Sequence, residues 1–227
     1  MIPIRDEMQT HRTPFVNYGL ILINVVVFLL TYVLNPNPEG VYSQFAFFPN
    51  EIRQGLDLGD VRSILTSMFM HLGWVHLLGN MLYLWIFGDN IEDKLGHINY
   101  LIFYLAGGVF AAFAHYLSNP TSTILTVGAS GAIAAVLGAY LVFYPHSRVY
   151  TFIPIGFFIR LRLVPAVIVL SLWFILQLFS GVGSLGLGDQ GGTAYWAHIG
   201  GFVFGLLVGL LFRNRGREPM PAPPSWN

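Results

Sequence analysis

The stretch TVGASGAIAAV, residues 126–136, starts an apolar helix that carries a hydroxyl in its first turn. That hydroxyl belongs to Ser130, which lies between Gly128 and Gly131. A serine in an apolar helix is usually a packing residue, because its hydroxyl can donate to a carbonyl one turn earlier. The other interpretation is a reactive hydroxyl, which requires a base and hydrogen-bond donors for an oxyanion. The two interpretations make different demands on the rest of the chain.

The composition points to a membrane. The chain has 227 residues, of which 55% are hydrophobic and 10% are charged. Soluble domains carry about 25% charged residues, so much of the apolar surface of this chain is expected to be buried in a bilayer. The formal net charge is zero, which gives no indication of nucleic-acid binding. The absence of cysteine excludes thiol catalysis and disulfides.

Six segments are long and apolar enough to cross a bilayer, which takes about 20 residues. They are residues 17–34, 64–87, 99–117, 127–143, 163–180 and 194–212. The predicted fold class is therefore all-α, a polytopic membrane protein with six transmembrane helices. Residues 1–16 and 213–227 are predicted to be cytoplasmic tails on either side of this 17–212 membrane domain.

Lysine and arginine are distributed unevenly over the connections. With six spans, nine of them fall on the side that holds both termini, and only Arg53 and Arg62 fall on the other side. The positive-inside rule then makes both termini cytoplasmic. We expect a multi-pass protein of a prokaryotic inner membrane. The inner connection 144–162 alternates apolar and polar residues around Gly156, which predicts a hairpin at the membrane surface.

Two further polar residues in the spans are candidates for chemistry. His76 and Asn80 are four residues apart in HLGWVHLLGN (71–80), so they share one helix face, whereas His71 lies off that face. Such residues often form interhelical hydrogen bonds. They are also donors that could converge on developing negative charge. This motif alone leaves both interpretations open.

The sixth segment supplies a candidate base. It begins AYWAHIGGFVFG (194–205), which places His198 about one turn from its outer end, near the depth expected for Ser130. Gly201 and Gly205 form a small-xxx-small pattern that allows close approach to the glycines of the fourth segment. If these helices touch, His198 and Ser130 come within hydrogen-bond distance.

The motifs GASG (128–131), HLGWVHLLGN (71–80) and AHIGG (197–201) together resemble those of the rhomboid family of intramembrane serine proteases. The resemblance covers roughly residues 15–212. It places the nucleophile on Ser130, the catalytic histidine on His198, and the second-span His and Asn on His76 and Asn80. Two positions depart from the family pattern. The Trp-Arg pair before the second span is Val61-Arg62 here, and the aromatic residue four after the serine is Ala134. Tyr195 or Trp196 is the candidate replacement that supports the imidazole.

The outer halves of the fourth and sixth spans contain no Asp or Glu, so we predict a dyad rather than a triad, which suffices if packing fixes the imidazole. His198 would accept the Ser130 proton, and the Ser130 backbone amide, His76 and Asn80 would donate to the oxyanion. Gly128 and Gly131 would keep the approach to the serine clear. The expected substrates are single-span proteins in the lipid bilayer, cut without a cofactor or metal and without nucleic acid.

Two alternatives remain at this point. One is a catalytically inactive relative that only binds membrane helices, although such proteins usually lack the serine or the histidine. The other is a transporter in which His71, His76 and His198 bind a metal ion. That interpretation lacks a carboxylate in the spans to balance a divalent charge, and it leaves Ser130 unexplained.

Overall fold

The computed structural model describes residues 1–156, 158–185 and 193–213. Eight α-helices and three strands lie within these ranges. The helices are α1 (Phe15–Phe28, continued by a π-helix, Leu29–Val33), α2 (Pro38–Phe45), α3 (Leu58–Ser67), α4 (Trp74–Leu95), α5 (His97–Ser118), α6 (Ser130–Phe143), α7 (Ala166–Ser184) and α8 (Tyr195–Phe212). A 3₁₀-helix, Pro49–Gln54, lies between α2 and α3, and the strands are β1 (Ile2–Asp6), β2 (Arg148–Ile155) and β3 (Phe158–Pro165).

Four helical segments of the described chain are long and apolar enough to cross a membrane. They are Phe15–Val33, α5, α7 and α8. The protein is therefore a multi-pass integral membrane protein. The predicted count of six is not confirmed by length and composition, because α6 has only 14 residues and the 22-residue α4 ends in the charged run Asp89–Lys94.

The shortest of the apolar helices lies at the centre of the bundle. In α6, every residue from Gly131 to Tyr140 is buried, and the helix packs against α4, α5 and α8. Helices α1 and α7 instead expose large apolar side chains such as Leu22 and Phe179, as expected of surfaces that face lipid. The helix that carries Ser130 is thus enclosed by protein along most of its length.

Glycines bring α6 and α8 into backbone contact. A Cβ added at Gly205 would overlap the carbonyl oxygen of Ala135, and one added at Gly201 would overlap that of Gly131. A Cβ at Gly138 would overlap the carbonyl oxygen of Phe202. Small residues allow such approach in membranes, where packing rather than water exclusion drives helix association. This contact sets the distance between the N-terminal ends of α6 and α8.

A small antiparallel sheet corrects the all-α prediction. The predicted hairpin around Gly156 is confirmed: β2 pairs with β3 in register from Arg148 opposite Pro165 to Ile155 opposite Phe158, and Gly156 with a φ of 59° follows β2. The sequence analysis missed the third strand, β1, which pairs with β2. Residues 2–6 had been assigned to a tail because five residues are too few to show a clear alternation.

The N-terminal strand is fixed to the bundle by a buried carboxylate. Tyr140 donates its hydroxyl to Asp6 Oδ2 at 2.7 Å, and Asn90 Nδ2 donates to the same oxygen at 2.9 Å. Burial raises the pKa of Asp6 above its usual value. The predicted N-terminal tail therefore includes a strand anchored to α4 and α6. Residues 214–227 of the predicted C-terminal tail lie outside the described residues.

The connection between α1 and α4 packs onto the segment that leads into α6. Phe47 and Thr126 exchange two backbone hydrogen bonds, of 3.1 and 2.7 Å, and the Phe47 side chain is buried. The amide of Gly128 donates to the carbonyl of Ser67 at the end of α3 at 2.9 Å. These bonds hold residues 126–128 in place immediately before Ser130.

Candidate active site

Ser130 and His198 lie within hydrogen-bond distance at one end of the α6–α8 contact. Ser130 is the first residue of α6, and His198 lies in the first turn of α8. His198 Nε2 is 2.8 Å from Ser130 Oγ. His198 is 8% exposed and Ser130 is half-buried. A hydroxyl and an imidazole at this distance can exchange a proton.

The glycines next to the serine leave space where a side chain would close the site. Gly128 has a φ of 127°, which other residues rarely adopt, and an added Cβ would lie 2.8 Å from His76 Nε2. An added Cβ at Gly131 would lie 2.6 Å from the Cβ of Ala111 on α5. Gly128 thus opens the approach to the serine, and Gly131 allows α5 and α6 to pack closely.

His76 Nε2 and Ser130 Oγ both lie close to Gly128, since a Cβ added there would be 2.8 Å from the first atom and 3.6 Å from the second. The Leu72 amide donates to His76 Nδ1 at 3.5 Å, an arrangement that favours a proton on Nε2, the nitrogen nearest to Gly128. Asn80 Nδ2 is buried and has no hydrogen-bond partner among the described residues. The amides at the start of α6 also lack partners within their own helix. These groups form a donor set that can receive an oxyanion.

A cavity of about 1140 Å³ joins these groups. Its lining includes Ser130, His198, His76 and Asn80, together with residues of the connection that follows α5 and the residues just before α8. His115, near the end of α5, lines the same cavity. The sequence does not identify this contribution, because a position near the end of a span does not show which way a side chain points.

His71 is separated from this group. Within the described part of the chain it does not line the cavity, its side chain is fully buried, and neither ring nitrogen has a hydrogen-bond partner. Its ring packs edge-on against His76 with centroids 4.9 Å apart. The structure therefore brings together four of the five polar residues that the sequence singled out, and places His71 behind His76.

The support of the His198 ring differs from the expectation. Trp196, one of the two candidate supports, donates its indole N–H to the carbonyl of Gly181 at 3.2 Å. The aromatic contact comes instead from Trp173 on α7, whose ring centroid lies 5.7 Å from that of His198. From the same helix, Gln177 Oε1 lies 2.7 Å from His198 Nδ1. The sequence analysis missed both residues, because neither belongs to a motif that links α7 to the histidine.

Comparison with known families assigns the chain. The family described as the Rhomboid domain matches residues 58–215, which include Ser130, His198, His76 and Asn80. The chain belongs to the rhomboid family. Among its rhomboid relatives is "Rhomboid protein 1, mitochondrial" of Saccharomyces cerevisiae, 30% identical over 215 residues, covering 92% of this chain and 56% of that protein.

Two other rhomboid relatives are named as proteases. "Rhomboid-like protease 5" of Toxoplasma gondii is 30% identical over 77% of this chain and 18% of its own length. "Rhomboid protease GluP" of Bacillus subtilis is 31% identical over 56% of this chain and 24% of its own length. The chain spans about half the length, or less, of these three relatives.

Proposed function

We propose that this rhomboid is an intramembrane serine endopeptidase that hydrolyses peptide bonds with a dyad of Ser130 and His198. The observation that supports this proposal most strongly is the 2.8 Å distance between His198 Nε2 and Ser130 Oγ at the edge of a cavity. The protease names of the Toxoplasma and Bacillus relatives support the same reaction class.

The reaction has two steps. His198 Nε2 accepts the Ser130 proton as Oγ attacks the scissile carbonyl, and the imidazolium then gives that proton to the leaving amine. Water in the cavity hydrolyses the acyl-enzyme, with His198 acting again as the base. The products are a carboxylate and an amine, and Ser130 regains its hydroxyl.

The oxyanion forms twice in this cycle and needs donors each time. We assign this role to the Ser130 backbone amide, His76 Nε2–H and the Asn80 amide. The N-terminus of α6 adds the positive end of its helix dipole. Removing one such donor typically costs about 10²–10³ in turnover.

Single-span membrane proteins are the proposed substrates. A peptide bond within a regular helix cannot reach Ser130 Oγ, because its carbonyl is engaged and its backbone is wrapped inside the side chains. The substrate must therefore be locally extended, which Gly or Pro in its span favours. The space at Gly128 is small, which favours a small residue at the cleaved bond.

A matched substrate pair in liposomes tests this proposal. The wild-type chain should cut a single-span substrate that has Gly and Pro near the outer end of its helix. Replacing both by Leu should slow cleavage by roughly 5- to 100-fold, because helix stability rises by about 1–3 kcal/mol. A serine-directed phosphonate should block the reaction and label Ser130, as read by mass spectrometry. Labelling of another serine, or equal cleavage of both substrates, would contradict the proposal.

We also propose that α4 and α6 cross the bilayer together with Phe15–Val33, α5, α7 and α8, giving six spans with both termini on the cytoplasmic side. Nine of the eleven Lys and Arg residues would then lie inside. The β1–β2 pairing supports this orientation, because it puts Arg5 on the same side as Arg148. A reporter inserted at Gly156 should give an inside signal, and an outside signal would invert the topology. The relatives include mitochondrial and bacterial proteins, so they do not point to one kind of membrane. The proposal therefore concerns the orientation of the spans and not the membrane that contains them.

The metal-transport alternative finds less support. Among residues 1–156, 158–185 and 193–213, no three His, Cys, Asp or Glu side chains are grouped so as to hold a metal ion. His71 and His76 are packed ring against ring, whereas His198 faces Ser130 and Gln177. The three histidines therefore do not converge on one point.

A further inference from the structure

The second nitrogen of the His198 ring has a specific partner. His198 Nδ1 lies 2.7 Å from the side-chain oxygen of Gln177, while Nε2 lies 2.8 Å from Ser130 Oγ. Both ring nitrogens are thus engaged, one on each side of a ring that is 8% exposed. The chain Gln177–His198–Ser130 joins helices α7, α8 and α6.

The direction of these two hydrogen bonds decides whether the serine can be activated. A neutral imidazole carries one proton, and it accepts at the other nitrogen. If Nδ1 carries the proton, it donates to Gln177 Oε1, and Nε2 is free to accept from Ser130. If Nε2 carries the proton, it donates to Ser130 Oγ, and no base faces the hydroxyl. Only the first tautomer is productive.

A glutamine carbonyl selects that tautomer without adding a charge. An acceptor opposite Nδ1 stabilises the Nδ1–H form, as carboxylates and backbone carbonyls do for histidines in other sites. Without any acceptor there, both tautomers would be populated, and the fraction with a free Nε2 would fall. The amide gives this selection in a membrane interior, where an unpaired carboxylate would be costly.

The same helix face also holds the plane of the ring. Trp173 and Gln177 are four residues apart on α7, so they lie on one face, one turn from each other. Trp173 contacts the His198 ring at 5.7 Å between centroids, with 37° between the planes. The ring contact limits tilting, and the hydrogen bond fixes rotation. Residue 134 on α6 is alanine, which has no ring to pack against His198. Trp173 on α7 provides the aromatic contact instead.

We infer that Gln177 is a positioning residue of the dyad, which holds His198 in the Nδ1–H tautomer by accepting a hydrogen bond from Nδ1. This inference rests on the proposed function for its effect on turnover, while the tautomer itself is independent of activity. It makes α7 a functional part of the site, although the nucleophile and the base lie on α6 and α8.

Two substitutions at residue 177 test the role of the acceptor. Gln177→Met keeps the length of the side chain and removes the oxygen, so kcat should fall by about 10-fold or more with little change in KM. Gln177→Glu keeps an acceptor and adds a charge that stabilises the imidazolium. It should retain turnover above that of the Met variant, and the acidic limb of its kcat/KM profile should move to higher pH. Ser180→Ala, which removes a hydroxyl from the same helix, is the control and should change neither kcat nor KM.

A spectroscopic measurement reads the tautomer directly. In protein with ¹⁵N-labelled histidine, His198→Ala identifies the His198 signals. The wild type should show a protonated Nδ1 and an unprotonated Nε2, and Gln177→Met should show averaging between the two forms. An unchanged tautomer together with an unchanged kcat in Gln177→Met would overturn the inference.

Two other outcomes are distinguishable from an unchanged Gln177→Met variant. If Gln177→Met does not fold, the pH profile of Gln177→Glu decides, since an unshifted acidic limb would contradict the hydrogen bond to Nδ1. If Ser130→Ala cleaves at the wild-type rate, the proposed function fails. The wild-type and Gln177→Met spectra would in that case still test the contact between Gln177 and His198.

Discussion

Ser130→Ala and His198→Ala should each lower the cleavage rate of a single-span substrate by roughly 10⁴–10⁶, while both proteins remain folded and membrane-inserted. The first change removes the attacking oxygen. The second removes the only side chain whose nitrogen lies within hydrogen-bond distance of that oxygen in the described structure. The measurement is a single-turnover cleavage assay in liposomes, with thermal unfolding followed in parallel.

The double variant distinguishes a dyad from two independent contributions. Because the hydroxyl and the imidazole act in one proton transfer, removing both should be no worse than removing either. Ser184→Ala and His146→Ala are the matched controls. The Ser184 hydroxyl lines the same cavity but donates to a backbone carbonyl, and His146 is exposed in the connection between α6 and β2. Multiplicative losses in the double variant would show two independent contributions, and near wild-type cleavage by Ser130→Ala would show that the nucleophile lies elsewhere.

The parts of the fold that sequence predicts best are those that a local pattern encodes. The alternation around Gly156 was sufficient to predict the hairpin, because a period of two together with a turn residue specifies two paired strands. β1 escaped prediction because its five residues become a strand only by pairing with β2, about 150 positions away. The contacts of Asp6 with Tyr140 and Asn90 also join distant parts of the chain, 134 and 84 positions apart.

The same distinction holds within the candidate site. Ser130, His198, His76 and Asn80 were visible in the sequence because polar groups are rare in apolar segments. Trp173 and Gln177 were passed over, since a tryptophan is common in a span and a single glutamine belongs to no motif. What makes them part of the site is the rotation of α7 relative to α8, which packing determines. The replacement for the missing aromatic residue at 134 was therefore sought on the wrong helix.

The oxyanion donors give the second large effect. Asn80→Ala should lower kcat by about 10²–10³ and leave KM nearly unchanged, because the lost hydrogen bond forms only when negative charge develops. In the described structure, Asn80 Nδ2 is buried without a partner, so the alanine variant breaks no existing bond of that group. The unfolding temperature should therefore stay close to that of the wild type. Asn80→Asp, which replaces the donor with an acceptor of the same shape, should be no more active than Asn80→Ala.

Asn17→Ala is the control with the opposite expectation, because Asn17 forms the interhelical bonds that Asn80 lacks. Its Nδ2 donates to the carbonyl of Leu84 on α4 at 3.0 Å, and its Oδ1 accepts from the hydroxyl of Tyr100 on α5 at 2.8 Å. Removing these buried bonds should cost about 1–3 kcal/mol of unfolding free energy, with turnover per folded molecule preserved. If Asn80→Ala lost stability as Asn17→Ala does, with unchanged turnover per folded molecule, Asn80 would be an interhelical tether and the oxyanion would depend on His76 and the start of α6.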